Sequence, residues 1–448
     1  MLDELLTILE PLSAKAEKVG ADEVEFFAQK INQKTIFIEV NNLKSAISNS
    51  LNGVGIRVIK NKSVGFASTN SLDKIKIEDA LNEALAITKV TLPENSNYLP
   101  QKRVIKKIPE LYDEAIEQYS LDDLISLSSK TLDLINDTDL RINVESGEFR
   151  AIKTEFAVTN SNGIETSEIR SSFSWDYAGM AVDESDIGSW DFVSDSVVKA
   201  KDIDIESSVQ KFTKKVLGNL KAKKTHSFVG FMVLSPEAVF DLFNIVIESA
   251  TAYPIQQGGS YLQDKLGDQI AIKDLTITDN GTLENSCSSR SFDREGLPPN
   301  ELKIINNGIF TGVLYNTFTA NKENLESTGH ASGGFRNIPL ISSTNVTIAI
   351  GNKSIEQMIA EIDHGIYVKR ISASPDYVSG DFSAVLKGSK LIEKGEIKHT
   401  LKEITASGNI YTSLNEIFAI SNKKHALRYG DVSFFVPEIS IDNISFAS

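Results

Sequence analysis

The helical segment at residues 235–252 places the strongest constraint on how this chain can fold. Ser235 can cap the helix, and Pro236 suits its first position. Apolar side chains then lie nearly all round it, and they are Val239, Phe240, Leu242, Phe243, Ile245, Val246, Ile247 and Ala250. Such a helix is stable only where it is mostly buried. The rest of the C-terminal half therefore has to cover it.

The polar residues of this helix fall on a single stripe, because they are spaced four, three and four positions apart. They are Glu237, Asp241, Asn244 and Glu248. The stripe either faces solvent or an interface, or it borders a cavity, and the sequence leaves both alternatives open. Carboxylates could bind a hard cation, but without a neighbouring histidine they make a poor zinc site.

Composition excludes several classes of protein. The 448 residues include one cysteine, Cys287, so an internal disulfide or a cysteine-rich zinc site is excluded, and a reducing, cytoplasmic location is expected. The net charge of −15 is spread over both halves, which argues against binding to nucleic acid. Neither an export signal nor an apolar run long enough to cross a membrane is present, so no membrane association is expected.

The N-terminal half is predicted to mix helices with antiparallel strands. Helices are expected at residues 2–19 (kinked or divided by Pro11), 72–90, 120–134 and 202–220. Strands are expected at residues 23–27, 35–40, 55–59, 63–67, 148–159 and 164–178, with turns at Asn52-Gly53, Asn61-Lys62 and residues 160–163. The period-two run Phe173, Trp175 and Tyr177 is interpreted as a core face rather than a ligand-stacking strip.

The C-terminal half is predicted to be β-rich, because short strands alternate with glycine and asparagine turns. The fold class is therefore α+β. We expect an N-terminal mixed α/β domain with an antiparallel sheet at residues 1–225. We expect a C-terminal domain resembling a barrel or sandwich at residues 226–448, with the boundary near residues 221–227.

Familiar catalytic and nucleotide-binding motifs are missing from the sequence. None of the five histidines is followed by glutamate, so an H-E-x-x-H site is excluded, and neither G-x-S-x-G nor a phosphate-binding glycine loop occurs. The remaining polar candidates are Asp293, Glu295 and His330, in two loops that could meet across a peptide-binding cleft.

Several stretches of the chain, taken in order, resemble the TldD/PmbA family, also described as modulators of DNA gyrase. These stretches are GVGIRV at 53–58, VGFA at 64–67, LSPEA at 234–238, GSYLQDKLG at 259–267, FDREGLP at 292–298, YNTFTA at 315–320, SGDFS at 379–383 and IEKGEI at 392–397. The resemblance covers nearly the whole chain. It implies a metallopeptidase scaffold that acts on unstructured peptides.

The resemblance further implies a branch of the family without the metal. The TldD branch carries H-E-x-x-x-H on the helix after the domain boundary and a later cysteine ligand. In ungapped register with that pattern, the motif positions here hold Phe243, Asn244 and Glu248, and Cys287 lies far upstream of the expected cysteine. The resemblance therefore implies that this chain has neither metal ligands nor catalytic residues. No cofactor is expected in this chain.

The resemblance implies the function of a TldE/PmbA-like subunit that is not catalytic alone. It would complete the substrate chamber for a TldD-like partner, which would hold the zinc and process unstructured peptides within a heterodimer. Two alternatives stay open. One is a homodimeric peptide-binding scaffold, and the other is a peptidase that is active in its own right through Asp293, Glu295 and His330.

Overall fold

The computed structural model describes residues 2–18, 20–430 and 432–448, which fold into an α+β protein, as the sequence predicts. The N-terminal half contains one antiparallel sheet. Its described strands are β1 (Glu23–Glu39), β2 (Asn42–Lys60), β3 (Ser63–Thr69), β4 (Ile142–Asn160), β5 (Glu165–Asp183), β6 (Asp186–Ile187) and β7 (Asp191–Val197). They lie in the order β3-β2-β1-β4-β5, and both β6 and β7 pair with β5.

The helices of this half pack on one face of the sheet. They are α1 (Leu2–Lys18), α2 (Lys74–Ile87), α3 (Glu114–Gln118), α4 (Leu121–Thr138) and α5 (Ile205–Leu217). Pro11 lies within α1 and does not divide it. Helix α4 begins as predicted, because Ser120 and Asp123 form a reciprocal capping box.

The first two strands are longer than the sequence indicates. The expected strands at 23–27 and 35–40 are parts of the single strand β1, and the predicted turn at Asn52-Gly53 is wrong, because both residues pair with β1 inside β2. Gly53 has a different role there, since a Cβ atom would lie 2.3 Å from the ring of Phe335. The turn at Asn61-Lys62 is confirmed, and both residues have positive φ angles.

Alternation along β1 gives the sheet two different faces. Even-numbered residues such as Phe26 and Ile36 are buried beneath the helices. Odd-numbered residues, which include Phe27 and Gln29, lie on the opposite face. That second face is turned towards loops of the C-terminal half.

The predicted aromatic face of β5 is confirmed as core. Phe173, Trp175 and Tyr177 are at most 2% exposed. The indole Nε1 of Trp175 and the hydroxyl of Tyr177 each donate a hydrogen bond of 2.9 Å to Ser208 Oγ on α5. One hydroxyl therefore serves two buried donors at the junction of the sheet and the helix.

The C-terminal half is β-rich, as expected. Its described strands are β8 (Phe228–Leu234), β9 (Ile277–Asn280), β10 (Glu301–Asn306), β11 (Ile309–Phe310), β12 (Ala331–Ser332), β13 (Leu340–Ile341), β14 (Asn345–Ile348), β15 (His364–Val368), β16 (Arg370–Pro375), β17 (Asp381–Lys387), β18 (Lys390–Glu393), β19 (Glu396–Thr400), β20 (Ile404–Asn409), β21 (Ile417–Ile420), β22 (His425–Tyr429), β23 (Val432–Val436) and β24 (Ile439–Ala447). The helices are α6 (Pro236–Ser249), α7 (Ala252–Gln256), α8 (Thr317–Lys322), α9 (Ile355–Ala360) and α10 (Ile410–Ser413).

Two large sheets of this half surround α6. One runs β16-β17-β20-β24-β8-β15-β18-β19 with β21 beside β24, and the other runs β11-β10-β9-β14-β23-β22. Strand pairing is antiparallel except for β8 with β15 and β14 with β23. Side chains from α6 and both sheets form one buried apolar cluster. The expected domain boundary falls between α5 and β8 and stays a prediction.

A search of the described helices finds none with the length and apolar character needed to cross a membrane.

The shared hydroxyl of Ser208 predicts a specific loss of stability. Ser208→Ala leaves the buried donors of Trp175 and Tyr177 without an acceptor, and we expect it to lower the free energy of unfolding by about 1–3 kcal/mol. Urea denaturation followed by tryptophan fluorescence measures this change.

A matched control is Ser126→Ala on α4, where the serine is exposed and donates a hydrogen bond to the carbonyl of Asp122. Its urea midpoint should stay close to that of the parent protein. Equal midpoints for the two variants would contradict the role assigned to Ser208.

Candidate functional site

Helix α6 is fixed at its start and buried along most of its length. Ser235 Oγ accepts a hydrogen bond from the Ala238 amide (3.2 Å) and donates one to the Lys369 carbonyl (2.7 Å). The ring of Phe243 is 0% exposed and belongs to the apolar cluster between the two sheets. Burial, rather than any ligand, thus accounts for the position of this helix.

The acidic residues at the start of the α6 stripe are engaged with neighbouring groups. The carboxylate of Glu237 forms an ion pair with the ammonium group of Lys215, with Oε1 and Nζ 2.8 Å apart. Burial alone would raise the pKa of Glu237, but Lys215 outweighs burial and the pKa is lowered. Asp241 accepts a hydrogen bond of 2.8 Å from the Ile371 amide at the edge of β16, and burial raises the pKa of Asp241 to about 6.

The middle of the stripe borders a cavity. Asp241 and Asn244 line a cleft of about 340 Å³ between α6 and β16. Glu248 is half-buried one turn further on, and burial raises its pKa. The sequence left open whether the stripe faces solvent or an interface or borders a cavity, and Asp241 and Asn244 border this cleft.

The α6 positions offer poor chemistry for zinc. Phe243 has no donor atom, and the amide of Asn244 cannot act as a carboxylate base. Within residues 2–18, 20–430 and 432–448, the structure contains no group of three or more histidine, cysteine, aspartate or glutamate side chains placed to hold a metal ion. The residues present therefore do not fit the zinc that the TldD branch of the family is implied to hold.

The two polar loops do come together, and Asp293 joins them. Its carboxylate accepts hydrogen bonds from the amides of Glu295 (2.9 Å), Leu297 (3.0 Å) and Ala331 (3.1 Å). Burial, and then the charge of Glu295, raise the pKa of Asp293 to about 7. Asp293 thus acts as a link between the loops, with its oxygens committed to backbone amides.

Glu295 belongs to a buried network of four charged residues, which we call the charge network. Arg57 Nη2 lies 2.6 Å from Glu25 and 2.8 Å from Glu295, and Arg294 Nη1 lies 3.0 Å from Glu25. Burial favours a lower pKa for Arg57, but the two carboxylates outweigh it and raise the pKa. Glu295 also accepts the amide of Thr317 at 2.7 Å.

His330 is fully buried in a separate polar cluster. Its Nε2 lies 3.3 Å from Asp279 Oδ1, and its Nδ1 lies 2.8 Å from Thr328 Oγ1. Burial would raise the pKa of Asp279, but the nearby His330 ring and the hydrogen bonds from the Thr344 amide and hydroxyl lower it instead. His330 therefore faces protein groups on both ring nitrogens.

A cleft of about 430 Å³ lies between the second face of the N-terminal sheet and the C-terminal loops, and we call it the sheet cleft. Strands β1, β4 and β5 form its floor, and the segments at 287–294 and 332–334 form its roof. The polar and charged lining residues include Gln29, Gln33, Arg170, Arg290, Asp293 and Arg294.

Of the residues expected to line a peptide cleft, Asp293 lines the sheet cleft, whereas Glu295 and His330 are 0% exposed and bond elsewhere. The sequence reasoning missed Gln29, Gln33 and Arg170. The usable signal was alternation: polar residues at every second position of a strand whose other face is apolar indicate a second, functional face.

Two family models match the chain. The model of the PmbA/TldA metallopeptidase C-terminal domain matches residues 231–448, and that of PmbA/TldA metallopeptidase domain 1 matches residues 24–88. Together they cover more than half of the chain, including α6, the loop at 292–298 and the first strands of the sheet.

Individual relatives and a solved structure agree with these matches. An uncharacterised protein of Methanocaldococcus jannaschii is 27% identical over 424 residues, which is 92% of this chain and 95% of that protein. Metalloprotease PmbA of Escherichia coli O157:H7 is 26% identical over 420 residues, covering 93% and 90% of the two chains. The crystal structure of TldE from Thermococcus kodakarensis shares the fold, with a TM-score of 0.90, 24% identity and coverage of 98% and 100%.

The charge network predicts a large effect of removing one cation. Arg57→Met leaves Glu295 buried without its cation and Glu25 with only Arg294. We expect a loss of roughly 3–5 kcal/mol in the free energy of unfolding. Adding Glu295→Gln to Arg57→Met should recover part of the loss, because the unpaired charge is then removed. Urea denaturation measures all three proteins.

Arg141→Met provides the control for a lost surface arginine. Arg141 is 42% exposed and pairs with Asp139 and Asp183, so its removal should leave the urea midpoint nearly unchanged. If Arg57→Met were as stable as Arg141→Met, the network would not hold the halves together.

Proposed function

The chain belongs to the TldD/PmbA family, and from this membership we propose that it is a TldE-like subunit without catalytic activity of its own. It completes the substrate chamber of a metallopeptidase that processes unstructured peptides. A TldD-like partner supplies the zinc and the catalytic base.

The state of α6 is the observation that carries this proposal. At the positions where the metal-bearing branch needs its histidine and glutamate, this chain has Phe243 in the apolar core and Asn244 on a cavity wall. Phe243 has no donor atom in any rotamer. The side chains packed around it are apolar, so they cannot supply a ligand in its place. The helix thus keeps its structural role and lacks the groups for metal-assisted hydrolysis.

The overall fold supports a role in the same kind of assembly. The likeness to TldE of Thermococcus kodakarensis extends over 98% of this chain. Peptide capture by strand pairing is open to such a scaffold, because it depends on backbone groups and tolerates varied sequence. One suitable edge is β2, where β3 pairs only with residues 54–60 and leaves residues 42–53 without a second strand neighbour in the described chain.

Charge and cysteine content support a role in the cytoplasm that does not involve DNA. A net charge of −15 disfavours direct contact with DNA, so the gyrase name of the family does not define the role of this chain. The single cysteine is compatible with a reducing cytoplasm, where we place the assembly.

Reconstitution with a partner tests the proposal. The protein is purified alone and mixed with the H-E-x-x-x-H family member encoded in the same genome. Zinc is then measured by mass spectrometry, and cleavage of an unfolded peptide is followed by chromatography. We expect no stoichiometric zinc and no cleavage with this chain alone, and cleavage in the mixture.

The control replaces the motif glutamate of the partner by glutamine, which should abolish cleavage in the mixture and leave complex formation intact on size-exclusion chromatography. Zinc near one atom per chain together with cleavage by this protein alone would contradict the proposal. A stable homodimer that ignores the partner would favour the scaffold alternative.

A further inference from the structure

The sheet cleft carries features of a ligand site that the subunit role does not by itself assign. We propose that the sheet cleft binds an extended peptide through a carboxylate group of that peptide, with Arg170 as the principal partner. The inference rests on the proposed function in one respect, since it names the chemistry of the peptide that the chamber would hold.

The charged lining of the cleft is mainly cationic. Three guanidinium groups, those of Arg170, Arg290 and Arg294, line it together with the carboxylate of Asp293. Asp293 is 2% exposed and accepts three backbone amides, so little of its charge is presented to a ligand. This excess of arginine is unusual against a net charge of −15 for the chain.

Two of these arginines are held at the ends of an aromatic pair. The guanidinium of Arg294 lies 3.8 Å from the ring centroid of Phe27, and that of Arg170 lies 4.8 Å from the centroid of Phe156. The two rings are neighbours, with centroids 6.0 Å apart. Stacking on a ring fixes the plane of a guanidinium while its edges remain able to donate hydrogen bonds.

Arg170 is the arginine best placed to meet a ligand. Its side chain is 21% exposed, whereas that of Arg294 is 1% exposed and paired with Glu25. The hydrogen bond found for Arg170 in the described chain runs from Nε to Glu168 at 2.5 Å. Glu168 is itself buried and accepts the Ser291 amide at 2.9 Å, which holds it in place. The two Nη groups are left for a second carboxylate, in the two-point geometry that arginine favours.

The floor of the cleft suits an extended peptide. Gln29 and Gln33 flank Ile31 on the same face of β1, so amide and apolar side chains recur about every 7 Å. An extended peptide repeats its side chains at the same interval. A second cavity of about 410 Å³ touches Gln33 and Ile152, but it lies mainly among residues of the helix-covered face, such as Glu117 and Lys153, and is not part of this groove.

A peptide can offer a carboxylate from its C-terminus or from an acidic side chain, and the two sources are separable by experiment. The probes are three alanine- and serine-based peptides that carry an uncharged BODIPY label: one with a free C-terminus, one with an amidated C-terminus, and one amidated with a central glutamate. Binding to the full-length protein alone is measured by fluorescence anisotropy at low salt.

At least one of the two peptides that carry a carboxylate should bind at least ten-fold more tightly than the neutral amide. The peptide that binds more tightly shows whether the carboxylate comes from the C-terminus or from an acidic side chain. Arg170→Gln should remove this preference. Arg170→Lys should keep part of it, because the charge remains and the two-point geometry is lost. Circular dichroism checks that each variant is folded.

Arg428→Gln is the matched control, because Arg428 is 26% exposed, forms one ion pair of 3.0 Å with Asp195 and lies outside both cavities. It should bind all three peptides as the parent does. Failure of every peptide to bind, equal binding of the three, or an unchanged preference in folded Arg170→Gln and Arg170→Lys would each overturn the inference. Since no partner is present, these outcomes are independent of whether the mixed complex cleaves peptides.

Discussion

The charge network fixes the relation between the two halves of the molecule, and the sheet cleft depends on it. Glu25 and Arg57 face each other across β1 and β2, while Glu295 and Arg294 come from a loop 238 and 269 positions further along the chain. Two cations and two carboxylates balance each other in an interior where a single unpaired charge would cost several kcal/mol. The loop that carries Arg294 and Glu295 is also the roof of the cleft. Its position over the sheet is therefore set by electrostatics rather than by loop packing alone.

Helix α6 owes its position to packing within the C-terminal half. Here the helix is stabilised by apolar burial against both C-terminal sheets and by the Ser235 cap. Phe243 adds to that burial, and a polar side chain at its position would lose its contact with water.

Local physics made much of the fold predictable from sequence. The start of α4 at Ser120, the hairpin at residues 160–163 and the aromatic face of β5 rest on interactions between near neighbours, and all three agree with the sequence-based predictions. The predicted turn at Asn52-Gly53 was wrong. Gly53 lies inside a strand, where it leaves room for the ring of Phe335, almost three hundred residues away. Contacts of this range leave no periodic trace in the sequence.

The same limit explains the candidate site. The structure brings the two loops together through Asp293, but sequence could not distinguish this lining residue from Glu295 and His330, which are bonded inside the protein. Burial decides the difference, and burial depends on Glu25, Arg57 and other residues that are distant in sequence.

The two faces of the N-terminal sheet show why a site can be built there without weakening the core. In β5 the odd-numbered aromatic residues pack under the helices, and the even-numbered residues Arg170 and Ser172 point into the cleft. In β1 the assignment is reversed, so that Gln29 and Gln33 join them on the same face. Because side chains alternate strictly, polar substitutions on the cleft face need not disturb the buried one. The polarity of the cleft face can thus change while the helices and the opposite face keep the sheet stable.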